Sequence, residues 1–208
     1  MNLRTSKIAV VAASAALIAA GAALTAATMS SPAEAAPAAR SAAAAPYRID
    51  GVHSSVVYKI KHNNVSNFYG IFSGIKGEFS LEDGGSINVT VDAGSILSGN
   101  SKRDEHLRSP DFFSAKEYPE ITFKSTSMKK VGDGRFEATG TLTLRGQSKP
   151  LTVTIEHTGD GEGRRGPVSG LETRFTIKRS EFGMVYGLGQ GLSDEVEVIV
   201  SLQGGAQG

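Results

Sequence analysis

Four histidines, His53, His62, His106 and His157, are the side chains able to take up a metal ion or a proton near neutral pH. They lie far apart, with no i, i+4 pair and no zinc-type spacing. They therefore read first as hydrogen-bonding residues, and no metal site is expected. The chain has no cysteine, so neither a thiol nucleophile nor a disulfide is available. No G-x-S-x-G elbow occurs. Gly187-Leu188-Gly189-Gln190-Gly191 has glycine spacing but no strand–turn–helix unit and no following Lys-Ser/Thr. Gly159-Asp160-Gly161-Glu162-Gly163 lacks the oxygen ligands of a calcium loop. No catalytic set emerges, and neither enzymatic activity nor a cofactor is expected. The remaining charged groups read as structure. Arg103, Asp104 and Arg108 predict a salt-bridged clasp, with an Arg108–Asp111 pairing beside it, and Arg179 with Asp194 predicts an ion pair across a Gly-rich connection.

The elements that hold these residues are mostly strands. Apolar and polar residues alternate from Tyr47 onward in short runs broken by glycine turns. Ser54, Val56, Tyr58, Ile60 and His62 share one strand face. Phe136, Ala138, Gly140, Leu142 and Leu144 share another, and Val196, Val198, Val200 and Leu202 a third. Gly70, Gly74 and Gly77 predict bending in the second strand. Val65 to Tyr69 reads as an irregular turn and Thr158 to Pro167 as a polar loop. One stretch breaks the pattern, Asn100 to Pro119. Asn100 is a candidate N-cap, and Ser109-Pro110-Asp111 reads as a second helical start. Leu107, Phe112 and Phe113 would anchor it. The count is eight strands joined by hairpins, with a short helical segment between strands 3 and 4. A closed antiparallel barrel satisfies that count best, with a β-sandwich as the other solution.

The first part of the 208-residue chain differs in composition. Arg4 and Lys7 precede an uncharged, Ala-rich run from Ile8 to Ala27, and Ala33-Glu34-Ala35 fits a cleavage site. Residues 1–35 read as a secretory signal peptide, with an uncleaved membrane anchor as the alternative. Residues 36–46 read as an Ala/Pro-rich linker, 47–204 as the barrel and 205–208 as a tail. From Tyr47 onward acids exceed bases by one, so the formal +1 of the whole chain comes from its leader. A balanced domain without a basic cluster argues against nucleic acid as a partner.

Several blocks carry a family resemblance: Tyr47–His62 (YRIDGVHSSVVYKIKH), GIFSGIKGEF from Gly70, RDEHLRSPDFFSAKEYPEITFKS from Arg103, GTLTLRGQSKPLTV from Gly140, and FTIKRSEFGM followed by SDEVEVIVSL. In order and type they resemble the YceI-like family of exported polyisoprenoid-binding proteins. The resemblance implies an all-β, eight-stranded, lipocalin-like antiparallel barrel. It also implies an apolar channel for a polyprenyl phosphate or isoprenoid quinone tail, and no catalytic residues.

Candidate channel residues are Val56, Tyr58, Ile60, Phe72, Phe123, Leu142, Leu144, Phe175 and Ile177. The sequence alone serves a solid core equally well, and the resemblance favours the channel. His53, His62, Arg103 and His106 are the candidates for a head group at the channel mouth. The implied role is an exported lipid carrier in the cell envelope or outside it, serving storage, transfer or envelope-stress protection. Such a carrier implies transient membrane contact, and a homodimer would be one way to cover an open mouth. The alternatives are a filled-core module binding a protein through apolar residues around Phe182 to Leu192, or a binder of another small amphipathic molecule.

Overall fold

The computed structural model describes residues 45–206. The expectations for the leader and most of the linker fall on residues outside that range.

Eleven strand segments form one antiparallel sheet that closes on itself as an eight-stranded barrel. Three strands are broken in two. The first consists of β1 (Tyr47–Ile49) and β2 (Ser55–His62), which both pair with the same last strand. The second consists of β3 (Ser66–Phe72) and β4 (Ile75–Ser80), which pair with β2 and β1 respectively. The third consists of β5 (Ser86–Asp92) and β6 (Ile96–Leu97). Helix α1 (Ser101–Arg108) follows, and then the long strands β7 (Glu120–Gly132), β8 (Arg135–Leu144), β9 (Gln147–Gly163), β10 (Gly166–Lys178) and β11 (Leu192–Ala206). Pairing of β11 with β10 on one side and with β1 and β2 on the other closes the ring, so that each full strand has a neighbour on both sides over at least part of its length.

Local chemistry sets each break. Between β1 and β2, Asp50 accepts the Val52 N–H at 2.9 Å and holds the His53 ring at 2.9 Å, forming a tight side-chain turn. Between β5 and β6, Asp92 caps a single 3-10 turn, Ala93–Ser95, by accepting the Gly94 N–H at 2.7 Å. In β4, Gly77 has φ 139°, and a β-carbon there would lie 2.0 Å from the Asn88 carbonyl oxygen. Only glycine tolerates that approach.

Three expectations are corrected. The turn after β2 spans Asn63 to Val65, with Asn63 and Asn64 at φ 51° and 57°, and Ser66 already belongs to β3. Asparagine supports that conformation through its short polar side chain. The polar stretch from Thr158 is a ladder: β9 and β10 pair through Gly163 and Gly166. Both faces are exposed there, so no apolar alternation announced it. Ser109-Pro110-Asp111 starts a series of tight turns and not a second helix.

One half of the interior is solid. Phe79, Ile155, Leu171, Ala138 and Leu202 are fully or almost fully buried, and Tyr47 stacks on Phe79 with centroids 5.7 Å apart. This is the end at which β1 meets β4 and β11, and it forms the floor.

Candidate functional site

The other half is hollow. A cavity of about 470 Å³ opens above the floor. Its walls are the inward positions of the strands: Val56, Tyr58 and Ile60 on β2, Phe68 and Phe72 on β3, Ile121 and Phe123 on β7. Leu142, Leu144, Leu151 and Val153 continue the wall, followed by Thr173 and Phe175, then Val196, Val198 and Val200. Ile60, Phe123, Phe175 and Val198 point inward yet are only half-buried, whereas the floor residues are buried completely. Empty space accounts for that difference.

The open end carries the chain connections. Helix α1 contributes Arg103, His106 and Leu107, the turns after it contribute Phe112 and Phe113, the connection before β11 contributes Met184 and Tyr186, and the start of β11 contributes Leu192. Asn100 caps the helix by accepting the Arg103 N–H at 3.0 Å. An aromatic cluster joins helix to loop: the His106 ring meets Phe112 at 5.0 Å and Tyr186 at 4.9 Å, both edge-on. Asp111 Oδ2 lies 2.8 Å from His106 Nε2.

Eight of the nine channel candidates line this cavity; Ile177 does not. It packs with Phe182 near the end of β10 and lines a separate space there. Among the mouth candidates His62, Arg103 and His106 line the cavity. His53 is corrected: it is exposed, bonded to Asp50, at the opposite end of β2 from His62. His157 lies outside the cavity too, against Asp160 and Ser169.

The clasp is built from backbone bonds in place of ion pairs. Asp104 accepts the Ser98 N–H at 2.7 Å and the Ser98 hydroxyl. Arg103 donates to Ser98 Oγ at 2.8 Å and to its carbonyl at 2.7 Å, and its guanidinium lies 4.2 Å over the Phe68 ring. Arg108 donates to the carbonyls of Gly94 at 2.7 Å and Ile96 at 2.8 Å, while Asp111 turns to His106. The helix thus satisfies carbonyl groups at and just after the short β6 strand, which pairs with β3 alone.

Arg179 and Asp194 likewise act through separate bonds. Arg179, 2% exposed, donates to the carbonyls of Met184, Tyr186 and Ser193 at 2.8 Å and of Leu192 at 3.3 Å. It gathers the Gly-rich connection around one guanidinium. Burial pulls its pKa below the ordinary arginine value, with Asp194 opposing. Asp194 accepts from Ser180 N–H at 2.9 Å and Oγ–H at 2.7 Å. Burial pushes its carboxyl up, but these two bonds and the nearby cations outweigh it and hold the pKa below the usual value. Of the apolar residues expected on the surface here, Val185 and Tyr186 are exposed while Phe182 and Met184 are buried.

Sequence reasoning missed Arg145. It donates to the Pro110 carbonyl at 2.7 Å and to the Gly183 carbonyl, tying the turns after α1 to the loop before β11. Its partners are remote in sequence and no local pattern marks it. Val196, Val198 and Val200 were legible as one face, and their shared cavity position follows from β11 pairing with β2.

A closed antiparallel sheet around an apolar cavity, filled at one end and bridged by a helix at the other, defines a binding barrel. The YceI-like domain model matches residues 47–204, and the chain belongs to the YceI-like family. Protein YceI of Salmonella newport (strain SL254) is 38% identical over 174 residues, covering 79% of this chain and 88% of that protein. The crystal structure of Burkholderia cenocepacia BcnA matches with a TM-score of 0.67 at 24% identity, covering 74% of this chain and 98% of that one. A polyisoprenoid binding domain from Saccharophagus degradans, implicated in plant cell wall breakdown, matches with a TM-score of 0.62 at 14% identity over 78% and 99% of the two chains. At these identities the two structural likenesses bear on the fold.

Proposed function

We propose that this protein is an exported carrier that holds a polyisoprenoid chain, of the polyprenyl phosphate or isoprenoid quinone type, in the hollow half of its barrel. The observation that carries the reading is the cavity itself. Its volume of about 470 Å³ falls in the range of small-molecule sites, and nearly all its wall is aliphatic or aromatic. A branched hydrocarbon gains about 0.8 kcal/mol per buried methylene there, partly offset by ordering costs. The polar end of the ligand lies against His62, Arg103 and His106, the polar groups of the mouth. Export rests on the leader composition. Storage or transfer of a lipid through water follows from the enclosure.

Mass spectrometry on protein purified from its own host under native conditions tests the reading. The expected result is a co-purifying isoprenoid, released by organic solvent. Protein free of lipid that also fails to take up a fluorescent isoprenoid would overturn it.

A further inference from the structure

The ladder between β9 and β10 is incomplete. It runs from the Gly163–Gly166 pair to the Ile155–Thr173 pair and stops there. Beyond that point, from Gln147 to Thr154, β9 pairs with β8 alone, and from Arg174 to Lys178 β10 pairs with β11 alone. Two strand edges face each other across a fissure in the barrel wall. At the fork Thr173 Oγ1 donates to the Thr154 carbonyl at 2.7 Å, so a side chain supplies the last link where the backbone ladder ends. Pro150, which has no N–H to give a neighbour, stands in the unpaired stretch of β9, a position where proline costs no ladder bond.

The fissure holds open space. A second cavity of about 380 Å³ lies there, with apolar walls from Pro150, Leu151, Ile177 and Phe182. Its other lining includes Lys149, Lys178, Glu181 and Glu195, of which the last three are exposed to solvent. Leu142 and Leu151 line both this space and the main cavity, so one layer of side chains separates the two.

Size gives the fissure a use. At ~30 Å³ for each water-sized group, the main cavity accommodates on the order of fifteen carbons, fewer than a long polyprenyl chain carries. The excess must leave the barrel. The mouth mixes His62, Arg103 and His106 with Leu107, Phe112 and Phe113, while the fissure offers a second way out, with an apolar floor of Pro150, Leu151, Ile177 and Phe182 under a charged rim.

We propose that the β9–β10 fissure is a lateral subsite for the distal end of a long isoprenoid hydrocarbon whose other end lies in the main cavity. The subsite rests on the proposed function, and deepens it by making ligand length a property that the barrel wall reads. The chain passes between Leu142 and Leu151 and lies along Ile177 and Phe182.

The protein has no tryptophan, so single-tryptophan variants report one place each. Phe123→Trp reports the main cavity and Ile177→Trp the fissure. The ligands are farnesol, which is short, and solanesol, which is long. Solanesol is expected to blue-shift emission from both reporters, and farnesol from Phe123→Trp only. A solanesol response confined to Phe123→Trp, or a farnesol response at both positions, overturns the fissure subsite and leaves the carrier reading standing. Silence of both reporters towards both ligands overturns the carrier reading and the subsite with it. Should a reporter fold poorly, Leu151→Phe, which narrows the passage, is measured by competition. It is expected to weaken solanesol by about tenfold while leaving farnesol within about twofold. Equal effects on both ligands overturn the subsite.

Discussion

Tyr58 lies across Gly70 so closely that a β-carbon on Gly70 would sit 2.2 Å from the tyrosine Oη. The two residues face each other in the β2–β3 register, so the glycine is the recess in which the ring lies along the cavity wall. Gly70→Ala therefore forces the ring off the wall and into the cavity. The ring tip has open space to move into, so the stability cost is expected to stay below about 1 kcal/mol, less than overpacking a dense core, with weaker uptake of any ligand. Urea denaturation of the variant beside the parent measures the first, and a fluorescent isoprenoid the second.

The same tyrosine carries a buried hydroxyl with no hydrogen-bond partner among the described residues. Burial pushes its pKa up to about 12, with Arg103 opposing and Asp104 adding to the shift. An unsatisfied buried hydroxyl costs stability, so Tyr58→Phe is expected to gain about 1 kcal/mol. A rise in the urea midpoint at unchanged slope is the sign to look for. A fall would show that the hydroxyl has a partner in solution.

Phe112 is 9% exposed and wedged between His106 and Tyr186, where the helix meets the loop before β11. Phe112→Ala should lower stability by about 3–5 kcal/mol. An unchanged melting temperature would instead mark the segment as a mobile lid.

Acid should loosen the same region. The Asp194 pKa is depressed in the folded protein, so its stabilising contribution is complete above the ordinary aspartate value of about 4 and is lost as pH falls through the lower folded value. Asp194→Asn is expected to lower stability near neutral pH, because the bonds to Ser180 weaken, and to flatten the loss on acidification. Parallel stability–pH curves for parent and variant would refute this.

Val198 faces the cavity opposite β2 and is half-buried although it points inward. Val198→Trp is therefore expected to fill space instead of straining a core. Stability should change by less than about 1 kcal/mol, against the 1–3 kcal/mol of overpacking in a dense interior. Isoprenoid uptake should be abolished.

Strand positions were the most legible part of the sequence. The five inward positions of β8, from Phe136 to Leu144, follow the period-2 pattern without exception, and all five are buried. Asn100 was legible as a cap because capping depends on the adjacent turn alone. The partition of the interior was not legible. Leu171 and Phe175 lie on one face of one strand, yet the first is sealed in the floor and the second borders the cavity. That difference depends on which neighbours close over them. Ile177 follows the same regular alternation, and its place beside Phe182 depends on the connection that closes over the end of β10, which no local pattern marks. The charged residues were assigned to one another because opposite signs are visible in a sequence. Backbone carbonyls are not, and Arg108, Arg145 and Arg179 all bind carbonyls.

The solid floor and the hollow upper half also divide the work of the chain between two tasks. Phe79, Ile155, Leu171 and Leu202 bury themselves whether or not the barrel carries anything, so the empty protein keeps a core of its own. Substitutions on the upper wall can then reshape the space for a thicker, shorter or more polar ligand while the fold is retained. A barrel of this design is a chassis whose binding space can be refitted by selection, natural or experimental, one inward residue at a time.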